Sequence, residues 1–281
     1  MMGTKPKSQI VMLGTGTPNA DPQRSGPALA IVVGDTPYLV DFGPGVVRRA
    51  AAAFRLGVEG LEPKRLARAF LTHLHSDHTA GYADLILSPW VLERAEPLTV
   101  FGPRGLAAMT EHILEAYKMD IRERLDGLEP INRTGYQVNA HEVEAGLVYR
   151  DENICVEAFP VTHGSWTAYG YKFQTPDRSI VVSGDTAPAV ALVEAARGCD
   201  VLIHEVYSTA AFRGRPTDWQ RYHASVHTSS KELAEIAFRV KPGLLILYHQ
   251  LLWGVSEEDL LAEVCSEYDG EVVSGRDLGV Y

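Results

Sequence analysis

Short apolar runs separated by Gly, Pro, Asn and Asp recur along the whole chain, and they predict alternating strands and helices. The predicted strands cover residues 9–13, 28–33, 37–42, 68–72, 154–161, 168–174, 179–183, 201–205 and 244–248. The predicted helices cover residues 44–56, 104–125, 188–197, 230–240 and 257–267. Ser229 and Glu232 have capping-box spacing at one helix start, and Ser256 with Asp259 resembles the same device. Residues 126–150 show no clear period. Strands that alternate with helices in both halves predict two sheets with helices outside them, in one α/β unit.

The composition is that of an ordinary globular protein. At about 150 residues per domain, the 281 residues would make one large domain or two. No Pro/Gly/Ser linker divides the halves, so we expect a single domain over 1–281. With 26 Lys and Arg against 36 Asp and Glu, the net charge of −10 disfavours a general nucleic-acid coat or a binder of anionic membranes. Three widely spaced cysteines and a short polar stretch, Met1 to Lys7, without a signal-peptide core favour the cytoplasm.

A cluster of metal-ligand residues follows the predicted strand 68–72. His73, His75, Asp77 and His78 lie within six residues. Alternation at the strand end places His73 and His75 on one side, with the other two in the turn that follows. Imidazole and carboxylate groups suit zinc and similar transition ions. The sequence therefore predicts a metal site at this strand end.

The pattern His-x-His-x-Asp-His after a buried strand resembles the motif of the metallo-β-lactamase superfamily. That superfamily adds a single histidine, an acidic residue and a last histidine, each after a strand, and His163, Asp185 and His249 occupy such positions. Asp41 matches the early aspartate that supports the metal site. The resemblance covers essentially the whole chain. It implies an αββα sandwich of two facing mixed β-sheets with helices on the outer faces.

The resemblance also implies a binuclear centre. One metal ion would be held by His73, His75 and His163, the other by Asp77, His78 and His249, and Asp185 would bridge the two. Two zinc ions are the first expectation, and iron or manganese are alternatives. A hydroxide that bridges the ions would be the nucleophile, and Asp77 would orient it or accept its proton.

Further segments resemble the ribonuclease Z-like branch of the superfamily. They are Leu-Gly-Thr-Gly-Thr-Pro at 13–18, Ile-His-Glu-Val at 203–206 and His-Thr-Ser at 227–229. In that branch the motif glutamate and histidine act as a pair beside the metals. Carried over, His227 is a general acid or electrostatic clamp and Glu205 holds it, while His204 is structural.

The chain departs from that branch in the region that grips transfer RNA. His163 and Asp185 are only 22 residues apart, which leaves no room for a long basic, Gly-rich arm. The two residues after Glu205 also differ from the branch's Ala-Thr. The closest basic and aromatic stretch is the predicted loop 207–222, which contains Trp219, and it is a candidate substrate lid. These departures weaken transfer-RNA processing as the task and leave the hydrolytic core intact.

The sequence therefore predicts a binuclear metal-dependent hydrolase of a phosphodiester or related ester, with a small anionic ester or nucleotide-type substrate. A lactone, β-lactam or aryl sulfate ester is the alternative. A non-enzymatic scaffold is disfavoured, because all seven ligands are present. Neither an extended nucleic-acid surface nor membrane contact is expected, and the resemblance allows a homodimer. We interpret His112, His141 and His223 as surface or core residues, and Trp166 and Tyr169 as packing residues or pocket walls.

Overall fold

The computed structural model describes residues 7–281, and most of the polar N-terminal stretch used for the cytoplasmic expectation, residues 1–6, lies outside them. The described chain divides into two compact units. The N-terminal unit consists of residues 7–143 and Arg276–Tyr281, and the C-terminal unit is Glu144–Gly275. The single domain over 1–281 stays a prediction. Across residues 7–281, every helix is too short or too polar to cross a membrane.

The N-terminal unit contains one six-stranded mixed sheet. Its strands are β1 (Ser8–Gly14), β2 (Ala28–Val33), β3 (Thr36–Val40), β4 (Arg68–Phe70), β5 (Leu98–Gly102) and β6 (Val138–Glu142), and they lie in this order across the sheet. The pairs β1–β2 and β2–β3 are antiparallel, whereas β3 to β6 are parallel neighbours. Parallel strands carry their carboxyl ends at one edge, so the residues that follow β3 and β4 lie close together.

Five α-helices belong to the same unit: α1 (Val46–Arg55), α2 (Ser76–Thr79), α3 (Tyr82–Val91), α4 (Leu106–Ala116) and α5 (Lys118–Asp126). Helix α1 buries Val46, Val47, Ala50 and Ala53 in the apolar core of the unit. The stretch 104–125, predicted as one helix, is in fact the two helices α4 and α5, which are separated at Tyr117.

The C-terminal tail of the chain covers the edge strand β1. Backbone hydrogen bonds join Ile10 to Tyr281 in both directions and Leu278 to Met12. The carboxylate of Asp277 accepts hydrogen bonds from Thr15 and from the backbone of Ser25. The exposed edge of the sheet is thereby paired within the chain, which prevents it from pairing with another molecule.

The C-terminal unit contains one seven-stranded mixed sheet. Its strands are β7 (Gly146–Arg150), β8 (Cys155–Pro160), β9 (Tyr169–Gln174), β10 (Ser179–Val182), β11 (Val201–Tyr207), β12 (Leu244–Leu251) and β13 (Val272–Ser274), again in chain order across the sheet. The strands β7 to β10 are antiparallel neighbours, and β10 to β13 are parallel. The residues after β10, β11 and β12 therefore share one edge of the sheet.

Five helices accompany this sheet: α6 (Val190–Ala196), α7 (Thr209–Phe212), α8 (Thr217–Val226), α9 (Ser230–Val240) and α10 (Glu257–Cys265). Both predicted capping boxes are confirmed, Ser229 with Glu232 on α9 and Ser256 with Asp259 on α10. The prediction of a loop over 207–222 was wrong in part, because α7 and most of α8 lie within it.

Candidate metal centre

Two histidines after β4 bring ring nitrogens together in the N-terminal unit. His73 Nε2 lies 3.0 Å from His75 Nδ1. The other nitrogen of His73, Nδ1, is 3.0 Å from the hydroxyl of Thr72. Because that hydroxyl donates its proton to Asp41, it accepts a hydrogen bond from Nδ1–H of His73. This leaves a lone pair on Nε2 of His73. Two imidazoles that bind one zinc ion tetrahedrally have nitrogens roughly 3.3 Å apart, so this arrangement fits a shared metal ion.

Asp41 orients the second half of this ligand set. It is buried directly after β3 and has a left-handed backbone, with φ of 59°. Its carboxylate accepts from the backbone N–H of Thr72 at 2.8 Å and from Nδ1 of His78 at 2.7 Å. The protonated nitrogen of His78 is thereby fixed, and Nε2 lies 3.5 Å from Oδ2 of Asp77. A carboxylate behind a histidine is the usual support of a metal ligand.

The C-terminal unit contributes a second set of buried ligand residues. His163 lies just beyond β8, and its Nδ1 donates to the carbonyl of Val226 at 2.8 Å, which directs Nε2 away from α8. Asp185 follows β10, and its Oδ2 lies 3.5 Å from Nε2 of His249. The side chains of His163, Asp185 and His249 are all almost fully buried. A carboxylate and two imidazoles in a dry environment suit a divalent transition ion.

A β-bulge positions His249. On β12, Tyr248 pairs with Glu205 of β11 and Gln250 pairs with Val206, so His249 is the extra residue between them. Its φ of 41° is left-handed. Bulges re-aim side chains beside active sites. In a regular strand, the side chain of His249 would lie on the sheet face opposite to those of Tyr248 and Gln250. The bulge changes this direction, and Nε2 of His249 lies 3.5 Å from Asp185.

Glu205 and His227 form a buried pair in the same unit. One oxygen of Glu205 accepts from the backbone N–H groups of Thr228 at 2.8 Å and Thr186 at 3.3 Å. The other oxygen, Oε2, lies 3.4 Å from Nδ1 of His227. Burial and the nearby Asp185 carboxylate raise the pKa of Glu205 well above its usual value. Glu205 therefore binds a proton more readily than an exposed carboxylate does.

These side chains converge within the C-terminal unit. Ligand atoms of His163, Asp185 and His227 lie within 4.8 Å of one another, and so do those of Glu205, His227 and His249. The predicted site residues thus fall into two sets, each assembled inside its own unit. The N-terminal set is His73, His75, Asp77 and His78, and the C-terminal set is His163, Asp185, Glu205, His227 and His249.

The other histidines separate into three environments. His112 and His141 are exposed. His204 is fully buried and its Nδ1 donates to the Glu205 carbonyl at 2.6 Å, while burial lowers its pKa to about 4. His223 is buried on α8 with its ring centroid 5.6 Å from that of His227, and desolvation, with His227 and Arg215 nearby, lowers its pKa to about 4.

Sequence reasoning placed His223 among surface or core residues and missed its contact with His227. Its position four residues before His227, which directly follows α8, was the available signal, because residues so spaced lie close together at the end of a helix. The two candidate wall residues differ in exposure: Trp166 is 44% exposed and Tyr169 is buried. The backbone N–H of Trp166 donates to the carbonyl of His163 at 3.2 Å.

Comparisons with known proteins agree with this picture. The family model described as the β-lactamase superfamily domain matches residues 36–250. Ribonuclease Z of Mycolicibacterium gilvum (strain PYR-GCK) is 32% identical over 276 residues, which are 96% of this chain and 94% of that protein. Ribonuclease Z of Mycobacterium tuberculosis (strain ATCC 25177 / H37Ra) is 31% identical over 276 residues, covering 96% of each chain.

Solved structures show the same fold. The metallo-β-lactamase fold protein YhfI from Bacillus subtilis superposes with a TM-score of 0.75 at 17% identity, covering 99% of both chains. The short form of human tRNase Z has a TM-score of 0.71 at 20% identity and covers 97% of this chain and 98% of that one. The predicted fold class, two mixed β-sheets with helices, is confirmed.

Proposed function

Because the chain belongs to the ribonuclease Z family of the β-lactamase superfamily, we propose that it is a binuclear metal-dependent phosphodiesterase. Membership of the family makes it a metal-dependent hydrolase. The observation that carries the finer proposal is the buried Glu205–His227 pair, because a phosphodiester with a poor leaving group needs a proton donor beside the metals.

The family resemblance assigns the two ligand sets to one binuclear centre, with His73, His75 and His163 on one ion, Asp77, His78 and His249 on the other, and Asp185 between them. Zinc is the first expectation for both ions, with iron or manganese as alternatives. When bound, such a pair supplies an activated hydroxide near neutral pH and stabilises the charge that develops on a phosphoryl oxygen. The dry, imidazole-rich donor sets of both units support this proposal.

The chain's own residues manage the proton. Glu205 faces Nδ1 of His227, so Nε2 is the nitrogen that points away from the glutamate. A proton on Nε2 would pass to the leaving oxygen as its bond to phosphorus breaks. Glu205 faces the other ring nitrogen, Nδ1, and keeps the ring of His227 oriented.

A second candidate is an acyl or sulfate ester hydrolase acting on a lactone, β-lactam or aryl sulfate. The observation that favours it is the short hairpin of β9 and β10 between His163 and Asp185, where a long arm would stand in a transfer-RNA enzyme. The same hairpin supports the proposal that the substrate is small, whichever bond is cleaved.

The direct test is hydrolysis by the metal-loaded protein of bis-p-nitrophenyl phosphate, nitrocefin, an acyl lactone, p-nitrophenyl sulfate and a precursor transfer RNA, side by side. We expect the phosphodiester to be the preferred small substrate and His75→Ala to abolish its turnover. His112→Ala is the matched control, since it removes an exposed histidine on α4, and it should retain full activity. Turnover of only the acyl or sulfate ester would replace the proposal with the second candidate.

A further inference from the structure

An aromatic cluster is formed by residues of helix α8 and of the segments next to it. We call Arg215, Trp219, His223 and Trp253 the α8 cluster. The ring of His223 stacks on Trp219, with centroids 5.4 Å apart and planes 21° apart, and lies 4.5 Å from the ring of Trp253. The guanidinium carbon of Arg215 lies 5.6 Å from the Trp219 centroid and 5.1 Å from that of Trp253. The cluster lies wholly within the C-terminal unit.

Polar atoms of the cluster are buried without partners. His223 is only 7% exposed, and both of its ring nitrogens lack a hydrogen-bond partner among residues 7–281. The same holds for Nε of Arg215. Buried polar atoms in working proteins are nearly always satisfied by protein, water or ligand. The ring nitrogens of His223 and Nε of Arg215 therefore have hydrogen-bonding capacity that residues 7–281 do not use.

The outer face of the cluster is aromatic and exposed. Trp219 is 50% exposed and Tyr222 is 42% exposed, and their rings meet edge to face at 5.8 Å. Together the two rings form an exposed apolar patch, a feature that marks binding sites when polar residues surround it. The exposed half of Trp219 offers aromatic surface on which a flat ring can stack.

The charge of this segment is opposite to that of the chain. Residues 212–222 contain Arg213, Arg215 and Arg221 against the single acid Asp218, while the whole chain carries a net charge of −10. A guanidinium over a flat aromatic surface suits a ligand that combines an anion with an aromatic ring. A nucleotide has both parts, a phosphate and a base.

The position of the cluster connects it to the proposed chemistry. His223 lies between Trp219 and His227, whose ring centroid is 5.6 Å from its own. A nucleotide held on this surface would therefore sit beside the proposed proton donor. A single nucleotide also avoids the long-range repulsion that an acidic surface exerts on an extended polyanion.

We infer that the α8 cluster binds one nucleotide of the substrate, with the base stacked on Trp219 and a phosphate held by Arg215. His223 and Trp253 support Trp219 from within the unit. The inference deepens the proposed function and rests on it for the identity of the substrate, because it names a nucleotide as the group beside the scissile bond.

Calorimetric titration of the metal-loaded protein with adenosine 5′-monophosphate and with ribose 5-phosphate tests the inference. The two probes share the phosphate and differ in the base. We expect the nucleotide to bind the wild type roughly tenfold more tightly, as stacking of one base on an aromatic side chain implies. Trp219→Ala should abolish this difference without changing the affinity for ribose 5-phosphate, and Arg215→Met should weaken binding of both probes roughly tenfold.

Matched controls come from the exposed face of α9. Phe238→Ala and Arg239→Met remove an exposed aromatic and an exposed arginine from the same unit, and both should bind as the wild type does. Tyr222→Ala is a second surface variant that tests the platform if Trp219→Ala is unstable. Equal affinity of the wild type for the two probes, or an unchanged difference in Trp219→Ala and Tyr222→Ala, would overturn the inference.

Failure of this inference is distinguishable from failure of the proposed function. Hydrolysis of bis-p-nitrophenyl phosphate with equal binding of the two probes would keep the phosphodiesterase and remove the nucleotide site. Binding of the nucleotide that depends on Trp219, with no phosphodiester turnover, would keep the site and remove the reaction.

Discussion

Oε2 of Glu205 lies 3.4 Å from Nδ1 of His227, and the residue after that histidine, Thr228, anchors the other oxygen of the same carboxylate through its backbone N–H. The segment that carries the histidine therefore also fixes the glutamate. Because Thr186 binds the same anchored oxygen, Glu205 cannot turn away from His227 without losing two hydrogen bonds. The backbone N–H groups of Thr228 and Thr186 thus restrict the orientation of the Glu205 carboxylate.

Removal of this pair should reveal a role in leaving-group protonation. We expect His227→Asn to lower kcat about 100-fold on a dinucleotide, whose ribose alkoxide needs a proton. The effect on bis-p-nitrophenyl phosphate should be much smaller, because nitrophenolate leaves without one. Steady-state kinetics with both substrates check this. Equal losses on the two substrates would contradict an acid role for His227.

Glu205→Gln should lower kcat on the dinucleotide roughly tenfold, since it keeps the shape of the side chain but replaces the carboxyl group that faces His227 with an amide that cannot carry a transferable proton. The double variant with His227→Asn should be no slower than His227→Asn alone, because residues that act as one unit are not additive. Fully additive losses in this cycle would show that the two residues act independently.

Metal removal should cost both activity and stability. The buried carboxylate of Asp185 and the imidazole of His249 are 3.5 Å apart and would each gain a divalent partner on loading. A metal present at about 100 times its Kd stabilises a protein by about 2.7 kcal/mol, which is roughly 5–10 °C in Tm. We expect chelation to lower Tm by that amount and zinc to restore it, with metal content measured by mass spectrometry. A chelated protein with unchanged Tm and a full metal count in His75→Ala would refute the ligand assignment.

The candidate ligands could be identified in the sequence because they are adjacent to one another or follow apolar strands. The spacing from His73 to His78 and the strand ends before His163, Asp185 and His249 are visible in the sequence. The capping box of Ser229 and Glu232 is equally local. The contact between His223 and His227 and the bulge at His249 were not predicted, because both depend on tertiary contacts.

Several elements were missed, four of them for identifiable physical reasons. Helix α3 contains Pro89, which ordinarily ends a helix. Strands β6 and β7, in the unassigned stretch 126–150, are largely exposed and so lack an alternating apolar face. Helix α8 follows Pro216 and buries only His223 and Val226, so its sequence lacks the apolar stripe that would indicate a helix.

The three cysteines should react very differently with thiol reagents. Burial raises the pKa of Cys199 to about 12, whereas Cys265 is exposed. At pH 8 only about one Cys199 in ten thousand would be a thiolate, the reactive form. With 5,5′-dithiobis(2-nitrobenzoate), Cys265 should react quickly in the native protein and Cys199 only after unfolding. Cys265→Ser should remove the fast phase and Cys199→Ala should leave it unchanged; rapid native labelling of Cys199 would contradict its burial.

His204 should make the protein sensitive to acid. Its folded pKa of about 4 lies below the unfolded value near 6.5, so the unfolded chain binds the proton more tightly. The stability contributed by neutral His204 is thus complete above pH 6.5 and is lost as the pH falls toward 4, by up to about 3 kcal/mol. In urea unfolding of the chelated proteins, the free energy of unfolding of His204→Gln relative to the wild type should rise by that amount between pH 7 and pH 4. Parallel pH curves for the two proteins would exclude this residue as the cause.

Arg94 replaces the backbone donor that Pro89 removes from α3. Its guanidinium is buried and donates to the carbonyls of Leu66, Leu85, Ile86 and Gly135 at 2.7–3.0 Å. Leu85 lies four residues before Pro89, so its carbonyl has no helical N–H to accept from. Burial lowers the pKa of Arg94 to about 10, which still leaves it charged at neutral pH.

Arg94→Met should therefore destabilise the protein by roughly 3–5 kcal/mol, since it strands four buried carbonyls. Pro89→Ala in the Arg94→Met background should recover about 1 kcal/mol, because the new N–H can bond the Leu85 carbonyl. In the wild-type background the same proline substitution should bring little gain, as Arg94 already occupies that carbonyl. Chemical denaturation of the four proteins measures this coupling, and an equal effect of Pro89→Ala in both backgrounds would show that Arg94 does not compensate for the proline.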